Sequence, residues 1–268
     1  MSADTKTTGT PTPTSSARGG ARELGTPHAR FAGSGRSAGT RSHSQSLRAK
    51  RSNLQRRARL LRRGACPERS DRVPRNDKLS PLPRAFFARN TLAVAKDLLG
   101  RFLVHETPRG RLIGRIVEVE AYRGPKDPAS HAYRRTPRSQ IMWGRPGMAY
   151  VYFTYGNHYC LNVVTEPEGI AGAVLLRAIE PLEGIEVMRR ARGIHDDRLL
   201  TSGPGRLTQA MAIGRNHNGA NLARPPLYLA RGPTNPVAVA ASPRIGIRAA
   251  ADRMWRFYIP GNLYVSRR

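Results

Sequence analysis

Cysteine, lysine and acidic residues are all scarce in this chain of 268 residues. It holds 2 Cys and 18 Asp+Glu against 46 Lys+Arg, and only 5 of those basic residues are Lys. Two cysteines, Cys66 and Cys160, exclude a disulfide scaffold, and no Cys/His cluster has zinc spacing. No run of about 18 apolar residues occurs, which excludes a membrane-spanning helix. The N-terminus also lacks the apolar stretch of a secretory signal. Hydrophobic residues make up 39% of the chain, low enough that part of it is not expected to pack. The scarcity of acid leaves a formal net charge of +28, which points to a polyanion, either nucleic acid or an anionic membrane surface. Arginine in place of lysine suits planar phosphate contacts, although genome composition produces the same bias.

Residues 1–78 read as a disordered basic tail. The first 50 are mostly Thr, Ser, Gly, Ala and Arg, which bury too little surface to offset their ordering entropy. The tail holds 18 Lys+Arg and 5 Asp+Glu, a net of +13, so residues 79–268 carry the remaining +15 and are themselves basic. Arg51–Arg63 (RSNLQRRARLLRR) has the pattern of a short basic helix. It reads as an arm on DNA phosphates or, with more weight, as a solvated charge run. The tail's composition also matches an organelle transit peptide, and a downstream translation start would account for it too.

From Leu79 on, helices and strands alternate without regular βαβ spacing. Asn90 is placed to cap a helix over Thr91–Leu99, with Gly100 as its stop. Strands are expected at Phe102–His105, Leu112–Glu120, Met148–Thr154, His158–Thr165, Val174–Ile179, Leu227–Ala230, Arg244–Arg248 and Arg256–Ile259. Helices are expected at Leu182–Arg192 and from Ser202-Gly203-Pro204 to Met211. The fold class is α+β, one domain over residues 79–268 around an antiparallel sheet.

Three clusters carry chemistry. In Ile116-Val117-Glu118-Val119-Glu120, strict alternation puts Ile116, Glu118 and Glu120 on one strand face. Taken alone, that face reads as solvent-exposed. Tyr122 follows two residues later and His131 in the next loop, and a carboxylate, an aromatic ring and a histidine together suit a pocket that binds a planar ring and activates water. The second cluster is Tyr150, Tyr152, Phe153, Tyr155, His158 and Tyr159 on a hairpin turning at Tyr155-Gly156-Asn157. Alternate rings there fill a core, but Tyr155 at the turn can act as a wedge between bases, with Arg123, Arg134, Arg135, Arg138 and Arg145 near enough in sequence to hold phosphates. The third is Arg177 inside Val174-Leu175-Leu176-Arg177-Ala178-Ile179, where a charge needs a partner: Glu180, a strand glutamate, or a ligand phosphate.

These segments occur in an order that resembles the alkyladenine (3-methyladenine) DNA glycosylase family. The resemblance rests on Glu118-Val-Glu120-Ala-Tyr122, His131, Thr136-Pro137-Arg138, Tyr150-Val-Tyr152-Phe-Thr-Tyr155-Gly156, Asn162, Leu175-Leu176-Arg177-Ala-Ile-Glu180-Pro181, Ser202-Gly203-Pro204-Gly205-Arg206-Leu207, Arg244-Ile245-Gly246-Ile247 and Arg256-Phe257-Tyr258. It covers about Leu82 to Ser266, and departs from the family pattern at Ser139, Trp143 and Asn157-His158. It implies Glu120 as the general base for water and Arg177 beside that water. Tyr122, His131 and Tyr152 would sandwich an extruded base, and Asn162 would crowd the amine of normal guanine. Tyr155 would fill the gap left in the duplex, and Arg138 and Arg206 would contact DNA. It also implies a curved antiparallel sheet with surrounding helices and a protruding hairpin. The substrate it implies is damaged double-stranded DNA, and no cofactor or metal, no membrane partner and a monomeric state are expected. A bacterial cytoplasmic location is expected. With so few lysines, Schiff-base strand cleavage is not expected. Two rival readings remain: a basic nucleic-acid binder without chemistry, and a hydrolase of soluble nucleosides. Neither explains the carboxylate, the histidine, the hairpin and the charge together.

Overall fold

The computed structural model describes residues 79–154, 156–233 and 236–266. Residues 1–78, with the basic segment Arg51–Arg63, and the hairpin residue Tyr155 lie outside the described residues.

Eight strands form one curled antiparallel sheet. They are β1 (Phe102–Thr107), β2 (Gly110–Arg123), β3 (Ala149–Thr154), β4 (His158–Val164), β5 (Gly172–Glu183), β6 (Leu227–Ala230), β7 (Ala240–Ser242) and β8 (Arg256–Tyr258). The order is β3-β4-β5-β2-β1-β6, with β8 pairing β2 and β7 pairing β8. The long strand β2 organises the sheet. β5 runs along one of its edges, while β1 and then β8 share the other.

Among the described residues, helices α1 (Arg84–Phe87), α2 (Thr91–Leu98), α3 (Ile185–Arg192), α4 (Asp197–Leu200) and α5 (Pro204–Ala210) accompany the sheet. Asn90 caps α2 as its side chain predicts, accepting from the Leu92 N–H at 3.0 Å, and α5 starts on Pro204. Val94, Ala95 and Leu98 of α2, Met188 of α3 and Leu207 of α5 pack with Val119, Ala121, Val151, Leu161, Val163 and Leu176 in the main core on one face of the sheet. The opposite face carries a smaller apolar cluster at one end, with Phe102, Val104, Ile113 and Tyr228. At its other end it carries polar side chains.

Strict alternation along β2 fails, and the failure decides which face the glutamates occupy. Register shifts against β5 fall between Ile116 and Glu118 and again between Glu118 and Val119. A bulge of this kind adds a residue and reverses which side chains face which way. Ile116 therefore joins Val119 and Ala121 in the main core, rather than siding with Glu118 and Glu120. Nor is the glutamate face solvated: Glu118 and Glu120 are both 0% exposed. Gly114, at another register shift, lies so close to Ile179 that a Cβ would meet its Cδ1 at 2.4 Å.

Two further expectations are corrected. The helix expected at Leu182 begins at Ile185, because Leu182 and Glu183 extend β5. Gly184 makes the break with φ +78°, where a Cβ would meet Leu112 at 2.5 Å. Arg244–Arg248 forms no strand; the segment is an irregular loop following β7. Its isoleucines look out over the polar face of the sheet instead of pairing with a neighbour.

Candidate active site

A cavity of about 210 Å³ opens on the polar face of the sheet. At roughly 30 Å³ per liquid water, that is room for one small planar group. Tyr122, Tyr150, Tyr152, Cys160, Asn162, Leu175 and Arg177 line it from β2, β3, β4 and β5. The period of two along each strand puts them on the face away from the main core. His131 enters from a short 3-10 turn in which the Ala132 amide donates to Ser130 Oγ, and Ile245, Gly246 and Ile247 close the cavity from the loop.

Beneath this wall lie two carboxylates in different states of satisfaction. Glu118 accepts four hydrogen bonds: Arg177 Nε at 3.1 Å, Arg256 Nε at 2.7 Å, Ser266 Oγ at 2.9 Å and Ser266 N at 2.7 Å. Three of these converge on Oε1 and one on Oε2, so Glu118 is clamped between two arginines and Ser266. Glu120 accepts two, from the Ile245 N–H at 2.7 Å on Oε1 and the Tyr122 hydroxyl at 2.7 Å on Oε2, and Arg177 Nη1 stands 3.1 Å from Oε1 as an ion pair. Its Oε2 keeps a lone-pair site for a further donor. Arg177 thus bridges both strand glutamates. Glu180, the other partner considered, instead accepts from Arg115 at 2.6 Å. Two buried anions face two buried cations, Arg177 and Arg256, which offsets the desolvation that either sign alone would suffer.

Burial opposes the charge on Arg177, but Glu120 and Glu118 outweigh it and hold the guanidinium above its usual range. Burial first, then the charge of Glu120, pushes the Tyr122 hydroxyl far up, so it remains a donor to that carboxylate. Burial likewise raises Tyr152, with a smaller effect from Cys160. His131 is pushed down, by burial and then by the Arg138 charge. Its ring is therefore neutral near pH 7. It lies 4.6 Å from the Tyr152 ring, centre to centre, and its Nδ1 is 2.8 Å from the Tyr150 hydroxyl. Asn162 is held against the wall by its amide, which donates to Tyr150 O at 3.1 Å.

Of the residues singled out in the sequence, Glu120, Tyr122, His131, Tyr152, Asn162 and Arg177 come together here. Arg138 sits at the exposed rim, its guanidinium 5.0 Å from the Tyr152 ring centre. Arg206 is not brought into the cavity: it is exposed on α5 and donates to Ser202 Oγ at 3.1 Å, although its neighbour Pro204 is a lining residue. Tyr155 is outside the described residues. The sequence reading gave no role to Arg256, Ser266, the Ile245 N–H or the buried pair Asp127–Arg244. Arg256 carried a usable signal, since it opens an apolar strand as Arg177 interrupts one. The backbone donors carried none. Among the described residues, no group of three or more His, Cys, Asp or Glu is placed to hold a metal ion, and no helix is long and apolar enough to cross a membrane.

The sequence profile of the methylpurine-DNA glycosylase family matches residues 85–263. Proteins that bear the name 3-methyladenine DNA glycosylase are similar over the same part of the chain. The one from Carboxydothermus hydrogenoformans is 51% identical over 192 residues, 70% of this chain and 99% of its own length. Those from Prosthecochloris aestuarii and Clostridium acetobutylicum are 51% and 48% identical, covering 69% of this chain and 90% and 97% of their own lengths. A match of this extent, over the residues that build the sheet and its cavity, means that the chain belongs to the methylpurine-DNA glycosylase family of base-excision repair and is a hydrolase of N-glycosyl bonds in DNA.

Proposed function

We propose that the enzyme extrudes alkylated or deaminated purines of the 3-methyladenine class from duplex DNA, seats them in the ring-lined cavity, and hydrolyses the glycosidic bond with Glu120 as general base, leaving an abasic site. The observation that carries this reading is a buried carboxylate, Glu120, held by three residues that line the cavity, Tyr122, Ile245 and Arg177, behind a wall of the rings of Tyr122, Tyr152 and His131.

A base inside a duplex cannot reach a buried carboxylate, so the nucleotide must flip, at a cost of a few kcal/mol that is least for damaged pairs. Tyr155, which follows β3 in the sequence, offsets part of this by stacking in the gap, while Arg138 and Arg206 hold the backbone as a monomer engages the duplex. Bond cleavage passes through an oxocarbenium-like state. Glu120 takes the proton of the attacking water and its charge stabilises the sugar cation. Arg177 holds Glu120 in place and the water beside it. Glu118 fixes Arg177 by accepting from its Nε. An alkylated purine leaves as a neutral molecule, so one base suffices; a neutral lesion needs a proton or a strong hydrogen bond as it departs. Stacking on tyrosine favours cationic bases by about 0.5–2 kcal/mol. Arg244 against Tyr122 and Arg138 against Tyr152 draw on the same rings, which puts the preference at the low end. Shape then has to supply the rest, with Asn162 crowding the amine of normal guanine. The bacterial relatives support a setting on DNA in the cytoplasm.

Turnover of a lesion-bearing duplex and of the corresponding free nucleoside, measured across salt concentrations, tests this reading. Duplex-only release whose affinity falls steeply with salt is expected. Equal turnover of the nucleoside with little salt dependence would replace it with the nucleoside-hydrolase reading.

The neutral state of His131 adds a pH prediction. Because its folded value is depressed, protonation occurs only below the usual histidine range, and there it places a cation inside the cavity. Release of cationic purines is expected to fall as pH drops from about 7 toward 5, and His131→Phe should flatten part of that fall. Single-turnover rates for both proteins check it; superimposable profiles would remove His131 from the cavity's charge balance.

A further inference from the structure

One buried ion pair ties together two loop walls of the cavity that lie far apart in sequence. Asp127 is in the turn after β2 and Arg244 in the loop after β7, and both side chains are 0% exposed. Arg244 donates from Nη1 to Asp127 Oδ2 at 2.6 Å and from Nη2 to Oδ1 at 2.8 Å, a fork that only a guanidinium makes. The same Nη1 donates to Ala121 O at 3.0 Å, one residue before Tyr122. The guanidinium also lies 4.7 Å from the Tyr122 ring centre. Tyr122 lines the cavity and Arg244 does not.

Each partner continues into a different wall. Asp127 also accepts from the amides of Arg123 at 3.2 Å and Ala129 at 3.3 Å, so it shapes the turn that delivers Ala129 and His131 to the cavity. The half-exposed Arg253 stands 3.7 Å from it. On the other side, the residue after Arg244 is Ile245, whose N–H donates to Glu120 at 2.7 Å. Ile245, Gly246 and Ile247 then form the closing wall. Burying two charges is a poor way to gain stability, since well-packed apolar residues commonly do as well. What the fork supplies is direction: strand β2 and both loops are fixed to one rigid plane.

We propose that Arg244, clamped by Asp127, is a positioning residue for base hydrolysis, holding the Ile245 N–H on Glu120 and the Tyr122 ring at the cavity wall while touching neither water nor base. The proposal rests on the reading of Glu120 as the base.

The test uses the full chain with Arg244→Lys and Arg244→Met. Single-turnover release from a lesion duplex is measured together with DNA affinity and thermal melting. Lysine keeps the charge beside Asp127 but loses the fork and the flat face. Arg244→Lys is expected to melt cooperatively and bind DNA within about twofold of wild type, yet to release base at least about tenfold more slowly, because small misplacements of reacting groups are costly. The loss should fall on the release rate and not on DNA affinity, which a general structural defect would lower as well. Arg244→Met should slow release further. The proposal is overturned if Arg244→Lys, corrected for its folded fraction, keeps the wild-type rate, or if neither variant folds, which makes the pair a folding element. Glu120→Gln run in parallel separates the two failures. Wild-type activity there removes the base itself, whereas an inactive Glu120→Gln beside an unaffected Arg244→Lys removes only the positioning role.

Discussion

Glu120→Gln is expected to slow base release by about 10²–10⁴-fold, the usual worth of a positioned general base, while binding of lesion-bearing duplex stays within a few-fold of wild type. Glutamine matches the shape of glutamate, so the Ile245 N–H and Arg177 can still donate to its carbonyl oxygen, and the cavity above is undisturbed. What disappears is the negative charge and the proton acceptor. Glu118 is not placed to take over, because Arg177, Arg256 and Ser266 clamp it and of these only Arg177 lines the cavity. The variant should therefore bind without turning over. Single-turnover excision and equilibrium binding on one oligonucleotide separate these effects. A parallel loss of both would mean that the substitution damaged the site rather than its chemistry.

Arg177→Met carries the second large effect, on stability as well as rate. Arg177 is 9% exposed and bridges two carboxylates that are 0% exposed. Removing one partner of a buried ion pair costs about 3–5 kcal/mol. At about 2–4 °C per kcal/mol for a domain of this size, the melting temperature should drop by about 6–20 °C. Arg256 still faces Glu118, so the anion left without its cation is chiefly Glu120. Arg177→Lys keeps one charge but cannot reach both glutamates with a fork. It should recover part of the stability and little of the rate. Melting curves check the first statement; a drop of less than about 1 kcal/mol would mean that the bridge behaves as a surface ion pair.

Much of the site is legible in the sequence wherever a residue type conflicts with its surroundings. Arg177 in an apolar strand announces a buried partner, and the partners are the two strand glutamates. Asn90, Gly100 and Pro204 mark helix ends because capping is local chemistry. What stays hidden depends on contacts between distant segments. The bulge at Ile116–Glu118 comes from pairing with β5, and no local pattern in β2 reveals that its alternation reverses there. Arg244–Arg248 alternates like a strand, but its isoleucines serve a cavity instead of a ladder. Two of the donors that distinguish Glu118 from Glu120 are backbone amides, at Ser266 and Ile245, and any residue type supplies those.

The most direct test of the central claim is the site of strand breakage. A duplex oligonucleotide carrying one hypoxanthine or ethenoadenine, and methylated plasmid DNA in parallel, are incubated with the protein and then treated with hot alkali. Breaks at the lesion or at alkylated purines, made by the wild type and absent with Glu120→Gln, are the predicted result. A folded, DNA-binding protein that yields no break on any of these substrates would contradict the account.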